Sequence, residues 1–357
     1  MKNVAIIMAG GKGERFWPMS TLDRPKQFLK LTDSDDTMIQ MTIKRILPLI
    51  NLEDIFIVTN EKYKNLISQQ LTKLPKENII YEPLSKNTAP CVALATSIIK
   101  KKYGNANIIV LASDHIIKNE KLFLDTLKLS LDNLTSNNII TLGIVPERAE
   151  TGYGYIKMAD KKAQNSSIYN VEKFVEKPNY ENAKKYYESG NYLWNSGMFI
   201  WNNEFMNNCV KNYLPEIYFR IEKIYNSIGT ENFKKILETE YSEMESISID
   251  YGIMEKVKNI EVIPGNFGWD DVGSWLSIER LRKINEDSNI IDGNIVCIET
   301  NNCTIINNDD DLISTVGLDN LIIVKNDKKT LIISKDRVNE IKTLTKKIKE
   351  EKGNKYL

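Results

Sequence analysis

The chain of 357 residues contains a single histidine, His115. A Ser-His-Asp triad needs its own histidine and a histidine-rich metal centre needs several, so the composition points away from both. The four cysteines, Cys91, Cys209, Cys297 and Cys303, form no Cys-x-x-Cys pair and have no histidine companions. Reduced thiols in a cytoplasmic protein are the expectation. No apolar run reaches about 18 residues, so no membrane span is expected. The opening "KNVAIIMAG" is too short for a secretory leader and runs straight into glycines. Lysine plus arginine equals aspartate plus glutamate, 48 each, which leaves no overall field to attract nucleic acid or an anionic membrane. Any anion site must be local.

What the chain does have is alternation. Apolar runs at Val4–Met8, Asp54–Asn60, Asn78–Pro83, Asn107–His115 and Asn138–Ile144 read as strands. Between them, Met38–Ile50, Tyr63–Leu74, Ala89–Tyr103 and Leu122–Leu134 carry helical spacing. This pattern predicts an α/β fold with a mixed, mostly parallel sheet, whose ligands gather beyond the carboxyl ends of the strands. Further strands are expected at "GYGYIKM", "NVEKFVEKP" and "NSGMFIWN", then amphipathic helices to about Tyr241 and a helix near Leu276–Ile284. After Asn285 the texture changes to short β-type runs split by Asn, Asp and Gly, closed by a charged tail. The expected domains are 1–285, a large catalytic unit, and 286–357, a small β-rich unit with a terminal helix. The spacing of the later runs is too uneven to define a strict repeat.

Three polar clusters follow predicted strands: "GGKGERFWPMS…RPKQFL", "EPLSKNTAP" and "SDH". In the first, Gly10, Gly11 and Gly13 let backbone amides approach phosphate oxygens, and Arg15 and Lys26 add positive charge. The loop is neither a Walker loop nor a dinucleotide fingerprint, because Phe16 stands where a third glycine belongs. A dinucleotide-binding oxidoreductase is therefore disfavoured. Asp114 ends a buried strand, where a carboxylate would face the ligand crevice and suit Mg²⁺, which takes oxygen ligands. Asn87 or Thr88 could equally serve as a helix cap.

The opening loop resembles the G-G-x-G-x-R-x-x-P-x-S…P-K signature of the sugar-1-phosphate nucleotidyltransferases. "FWP" and "PKQFL" look like the mannose-1-phosphate guanylyltransferase branch. "EPLSKNTAP", "LASDH", "TGYGYI", "FVEKP", "NSGMFIW", "SIDYGIME" and "FGWDDVGSW" match that branch in its order, so the resemblance spans Val4 to Trp275. It implies a Rossmann-like nucleotidyltransferase domain that transfers GMP from GTP to α-D-mannose 1-phosphate, giving GDP-mannose and diphosphate. It also implies Mg²⁺ held by Asp114 and Asp271, the second aspartate of "GWDD" rather than Asp270. The implied catalytic residues are Arg15, Lys26, Asp114, Lys177 and Asp271. GTP would meet Gly10, Gly11, Gly13, Arg15 and Lys26, with its base at Glu82, Asn87 and Thr88, whose division of roles stays open. The sugar phosphate would meet Gly152, Gly154, Glu176, Lys177 and Asn195.

The expected partners are therefore GTP and mannose 1-phosphate, with neither nucleic acid nor membrane. Short relatives carry a β-roll or left-handed β-helix tail that helps them oligomerise, and the later β runs are compatible with that and with a homodimer. Other relatives continue into a cupin-type isomerase domain. The stretch 285–357 lacks the histidines of such a site, and no isomerase activity is expected. Two alternatives differ in class or substrate: a guanylyltransferase for another sugar 1-phosphate such as a manno-heptose phosphate, and a non-catalytic sugar-nucleotide-binding regulator. The regulator would be expected to lack Arg15, Lys26 or the metal aspartates, which are all present.

Overall fold

The computed structural model describes residues 1–11, 13–161 and 167–357. The first half alternates strands and helices: β1 (Lys2–Ala9), α1 (Met38–Ile46), β2 (Ile55–Asn60), α2 (Lys64–Gln70), β3 (Ile79–Glu82), α3 (Thr88–Tyr103), β4 (Ala106–Ala112), the short β5 (Ile116–Ile117), α4 (Glu120–Asn133) and β6 (Ile139–Ile144). Then follow β7 (Tyr155–Lys161), β8 (Tyr169–Val175), α5 (Tyr180–Ser189), β9 (Tyr192–Asn202), α6 (Asn203–Tyr213), α7 (Pro215–Ser227), α8 (Phe233–Ser242), β10 (Ile260–Gly265) and the short β11 (Trp269–Asp270). Among the described residues, nine strands make one mixed sheet in the order β3-β2-β1-β4-β9-β6-β10-β8-β7. β3, β2, β1 and β4 run parallel, as do β6 and β10. β9 is antiparallel to both β4 and β6 and joins the two parallel sets.

The strands are nearly continuous apolar runs because both faces are covered. On β1, Val4 and Ile6 join one core with α3, α6 and α7, while Ala5 and Ile7 join the opposite core with α1 and α4. α1 stops at Ile46, short of the expected Ile50, because Pro48 has no N–H to continue the ladder and restricts the residue before it. The expected helix near Leu276–Ile284 is a 3₁₀ segment over Trp275–Arg280. No helix among the described residues is long and apolar enough to cross a membrane.

The C-terminal strands are β12 (Ile290–Asp292), β13 (Ile295–Ile298), β14 (Thr304–Asn307), β15 (Ile313–Val316), β16 (Leu321–Asn326) and β17 (Lys329–Ser334), followed by α9 (Ile341–Lys352). β12, β14 and β16 stack in parallel, and so do β13 and β15. Ile295 pairs with Ile313 and Thr304 with Ile322, an offset of 18 residues, after a first coil in which Ile290 pairs with Thr304, an offset of 14, so the chain winds as a short parallel β-helix. That regularity lies in the pairing register, which uneven loops hide in the sequence. The coil docks against the opening loop. Phe16, Trp17, Trp275, Ile306, Ile322 and Ile341 share one buried cluster. The Trp17 indole N–H donates to the Tyr356 carbonyl at 2.7 Å, and the Asn326 amide donates to the Pro18 carbonyl at 3.0 Å.

Candidate active site

Parallel strands place their carboxyl ends on one edge of the sheet. β1 leads there into Gly10, β3 ends at Glu82, and β4 leads to Asp114. β9 begins at the same edge, because its Asn195 pairs with Gly143 near the end of β6 and its Trp194 pairs with Tyr155 at the start of β7. Nearly all the sequence-predicted site residues therefore collect at one rim for topological reasons.

The charged end of this rim is a cavity of about 470 Å³ bordered by Gly13, Arg15, Lys26, Asp114 and Asp271. Lys26 is buried, and its ammonium sits 3.0 Å from an Asp114 carboxylate oxygen while also donating to the Asp271 carbonyl. One lysine thus ties the opening loop to both acidic segments. Burial works to raise the pKa of Asp114, but the Lys26 ammonium and its hydrogen bond outweigh it and hold the carboxyl below its usual range. The Asp271 carboxylate accepts the Tyr153 hydroxyl at 2.7 Å. Asp270 points elsewhere: it accepts from Arg280 at 2.6 Å and from the Val272 amide at 2.8 Å, which fixes the turn. Arg15 reaches across to donate to the Gly273 carbonyl at 3.3 Å. His115 accepts from the Trp269 indole at 3.1 Å on Nδ1 and has its pKa lowered by burial, so it stands as a neutral buttress behind Asp114. Gly13 has φ of +62°, and a Cβ there would lie 2.6 Å from that of Lys26. Only glycine permits this approach.

At the second cluster Glu82 is buried at the end of β3 and accepts the hydroxyl of Tyr241, a buried residue of α8. Its other oxygen faces Gly10, whose added Cβ would lie 3.6 Å away. Burial pushes the Glu82 carboxyl up to about 7, against the opposing effect of the Tyr241 hydrogen bond. Asn87 accepts from the Thr88 amide at 2.8 Å, and the Thr88 hydroxyl accepts from the Ile249 amide at 2.8 Å. Both therefore organise the start of α3 and its link to the 247–249 segment.

The third cluster gathers Gly154, Glu176, Lys177 and Asn195. Lys177 donates to Glu176 at 2.6 Å. The backbone N–H of Asn195 donates to the Gly154 carbonyl at 2.8 Å, and a Cβ on Gly154 would stand 3.0 Å from a Glu176 oxygen. Gly152 is exposed on the turn 148–153, where its amide donates to Glu150 at 3.0 Å, and borders a cavity with Arg15 and Asp271 rather than this cluster. Sequence reasoning passed over Asp250, which accepts the Asn195 side chain at 2.7 Å from the first turn of a π-helical segment, Asp250–Met254. Burial raises the Asp250 pKa, with the Asn195 hydrogen bond opposing it. It also passed over Tyr153 and Tyr241. The "SIDYGIME" and "TGYGYI" motifs carried signals for Asp250 and Tyr153. Tyr241 had none, because its partner is distant in the chain. Asn87, Lys177 and Val272, one in each of three site loops, have φ of 69°, 26° and 49°. Such conformations in non-glycine residues cost energy and persist where surrounding structure holds them.

The donor set suits Mg²⁺. Asp114 and Asp271 border one cavity, and this ion is held by one or two carboxylates together with water and substrate phosphates. Among the described residues no group of three or more His, Cys, Asp or Glu is placed to hold a metal ion by itself.

The nucleotidyl transferase family model matches residues 4–288, and a MannoseP isomerase/GMP-like beta-helix domain model matches residues 293–348. A mannose-1-phosphate guanylyltransferase of Salmonella muenchen is 36 % identical, with 99 % of this chain and 75 % of that protein covered. One of Escherichia coli strain K12 is 35 % identical over 97 % of this chain and 73 % of that protein. A crystal structure of a mannose-1-phosphate geranyltransferase from Thermus thermophilus superposes with a TM-score of 0.87 at 31 % identity, covering 98 % of this chain and all of that one. With the first model spanning most of the chain, and with these relatives matched over nearly all of it, the chain belongs to the nucleotidyl transferase family, as an enzyme among its sugar-phosphate guanylyltransferases.

Proposed function

We propose that the enzyme transfers the guanylyl group of GTP to α-D-mannose 1-phosphate. An oxygen of the sugar phosphate forms a bond to the α-phosphorus of GTP, the bond from that phosphorus to the β-phosphate bridge breaks, and diphosphate leaves with the electron pair. The products are GDP-mannose and diphosphate. The observation that carries this reading is the single cavity bordered by Arg15, Lys26, Asp114 and Asp271 at the carboxyl edge of the sheet.

The attacking group is a phosphate monoester whose second pKa is about 6, so it is mostly dianionic at neutral pH and needs no general base. A protein with one histidine, held neutral as a buttress, suits such chemistry. The remaining barrier is the approach of anions and the charge on the departing diphosphate, which fixed cations and positioning reduce. Arg15 and the amides around Gly10, Gly11 and Gly13 would bind the triphosphate. Lys26 would hold loop and carboxylates in register. Asp114 and Asp271 would hold Mg²⁺, which when bound neutralises phosphate charge. Lys177 would bind the sugar phosphate, and Glu176 and Asn195, oriented by Asp250, would bind sugar hydroxyls, the axial 2-hydroxyl included. Glu82 would accept from guanine N1–H and its amine. We place the reaction in the cytoplasm, consistent with four unpaired cysteines.

The test is diphosphate release over GTP, ATP, UTP and CTP against mannose 1-phosphate and glucose 1-phosphate. The expected pair is GTP with mannose 1-phosphate. Turnover with a different sugar 1-phosphate in its place would redirect the sugar assignment, and no consumption of GTP with any acceptor would end the proposal.

A further inference from the structure

The cavity bordered by Arg15, Lys26, Asp114 and Asp271 has one wall from outside the large domain. Lys342, in the first turn of α9, also lines it. The helix is placed there by packing. Its Ile341 is fully buried in the cluster that contains Phe16 and Trp17, and Ile348 packs against the same cluster. The Trp17–Tyr356 hydrogen bond pins the far end of the tail to the same loop. Charge supplies the second argument. The cavity wall contains the carboxylates of Glu14, Asp114 and Asp271 and the cations of Arg15, Lys26 and Lys342. Lys26 is engaged by Asp114. Among the described residues, Lys342 brings the cations of this wall level in number with its carboxylates and adds to the local positive field that draws a polyphosphate.

We propose that the Lys342 ammonium binds the phosphates of the nucleoside triphosphate, so that the C-terminal unit completes the nucleotide site rather than serving only as an appendage. The inference rests on the reaction proposed above. Lysine suits the role because its compact charge on a flexible stem can follow phosphate oxygens from bound triphosphate to departing diphosphate. Lys346, one turn further along α9, lines the neighbouring groove beside Glu14 and Trp17 but not this cavity, and so provides an internal control.

Calorimetric titration with Mg·GTP and steady-state kinetics on the full chain separate the possibilities. Lys342→Gln should weaken Mg·GTP binding and inhibition by inorganic diphosphate by about tenfold, the size expected for one charge-assisted contact. It should leave the KM for mannose 1-phosphate within about twofold, as judged against the same contact energy. Lys342→Arg should recover most of the affinity, and Lys346→Gln should bind as the parent does. Equal affinity of the parent and Lys342→Gln for Mg·GTP, or equal losses in Lys342→Gln and Lys346→Gln, would overturn the inference. A parent that binds Mg·GTP but turns over no sugar phosphate would overturn the proposed reaction instead, and the binding comparison would still decide the role of Lys342.

Discussion

The guanine-reading role proposed for Glu82, a buried carboxyl with one neutral hydrogen-bond donor, carries a pH signature. Burial raises its pKa from 4.5 to about 7, while the Tyr241 hydroxyl favours the charged form. In the unfolded chain the carboxyl ionises at the ordinary value. The stability associated with its retained proton is therefore fully present below about pH 4.5 and is lost as pH rises through about 7, a change on the order of 3 kcal/mol. Binding runs the opposite way, because accepting from guanine N1–H and the amine requires the carboxylate. The KM for GTP should rise about tenfold per pH unit below the Glu82 midpoint, as single-proton linkage demands. Tyr241→Phe removes a bond that favours the charged form, so it should move that midpoint upward, and Glu82→Gln should abolish the dependence. Measuring KM for GTP between pH 6 and 8.5 checks this, and a flat profile in the parent would contradict it. At Asp114 the variant chosen decides whether Lys26 keeps a partner. Alanine there would leave the buried Lys26 ammonium without its carboxylate, and breaking such a pair costs about 3–5 kcal/mol. Asparagine keeps an oxygen for Lys26.

At the scale of elements, the opening loop carries the most demanding geometry. Gly13 combines a φ of +62° with a Cβ position 2.6 Å from the Lys26 Cβ and 2.7 Å from its backbone nitrogen. Backbone cannot rotate aside as a side-chain tip can. Gly13→Ala should therefore cost about 1–3 kcal/mol and shift Lys26 relative to Asp114. A lowered melting temperature together with a fall in kcat is the expected result. An unchanged melting curve and rate would show that the loop tolerates what the geometry forbids. This element was legible in the sequence because glycines, cations and a preceding apolar strand are local signals. The start of α3 was legible for the same reason. The end of α1 was misplaced, since helical spacing persists through Leu49 and Ile50 while Pro48 ends the hydrogen-bond ladder. The winding of the C-terminal strands was not legible, because it depends on which strand pairs with which.

For the whole molecule, the α/β alternation carried most of the large domain, and the match of motif order to strand ends placed the three clusters at one rim. The joining of the two units stayed hidden. Trp17 with Tyr356, Pro18 with Asn326 and Glu279 with Lys335 are pairs distant in the chain, with no periodicity to announce them. They make the opening loop a shared boundary, with the charged cavity on one side and the β-helix packed on the other. The central claim is that Asp114 and Asp271, brought to one cavity by Lys26, act together on a magnesium-bound GTP. The direct measurement is diphosphate release from GTP and mannose 1-phosphate, titrated with Mg²⁺, in Asp114→Asn and Asp271→Asn. Both variants should fold, lose kcat by about 100-fold or more, as removal of a principal electrostatic contact does, and need more Mg²⁺ to reach half of their residual rate. Parent-like turnover and an unshifted magnesium requirement in either variant would contradict the account.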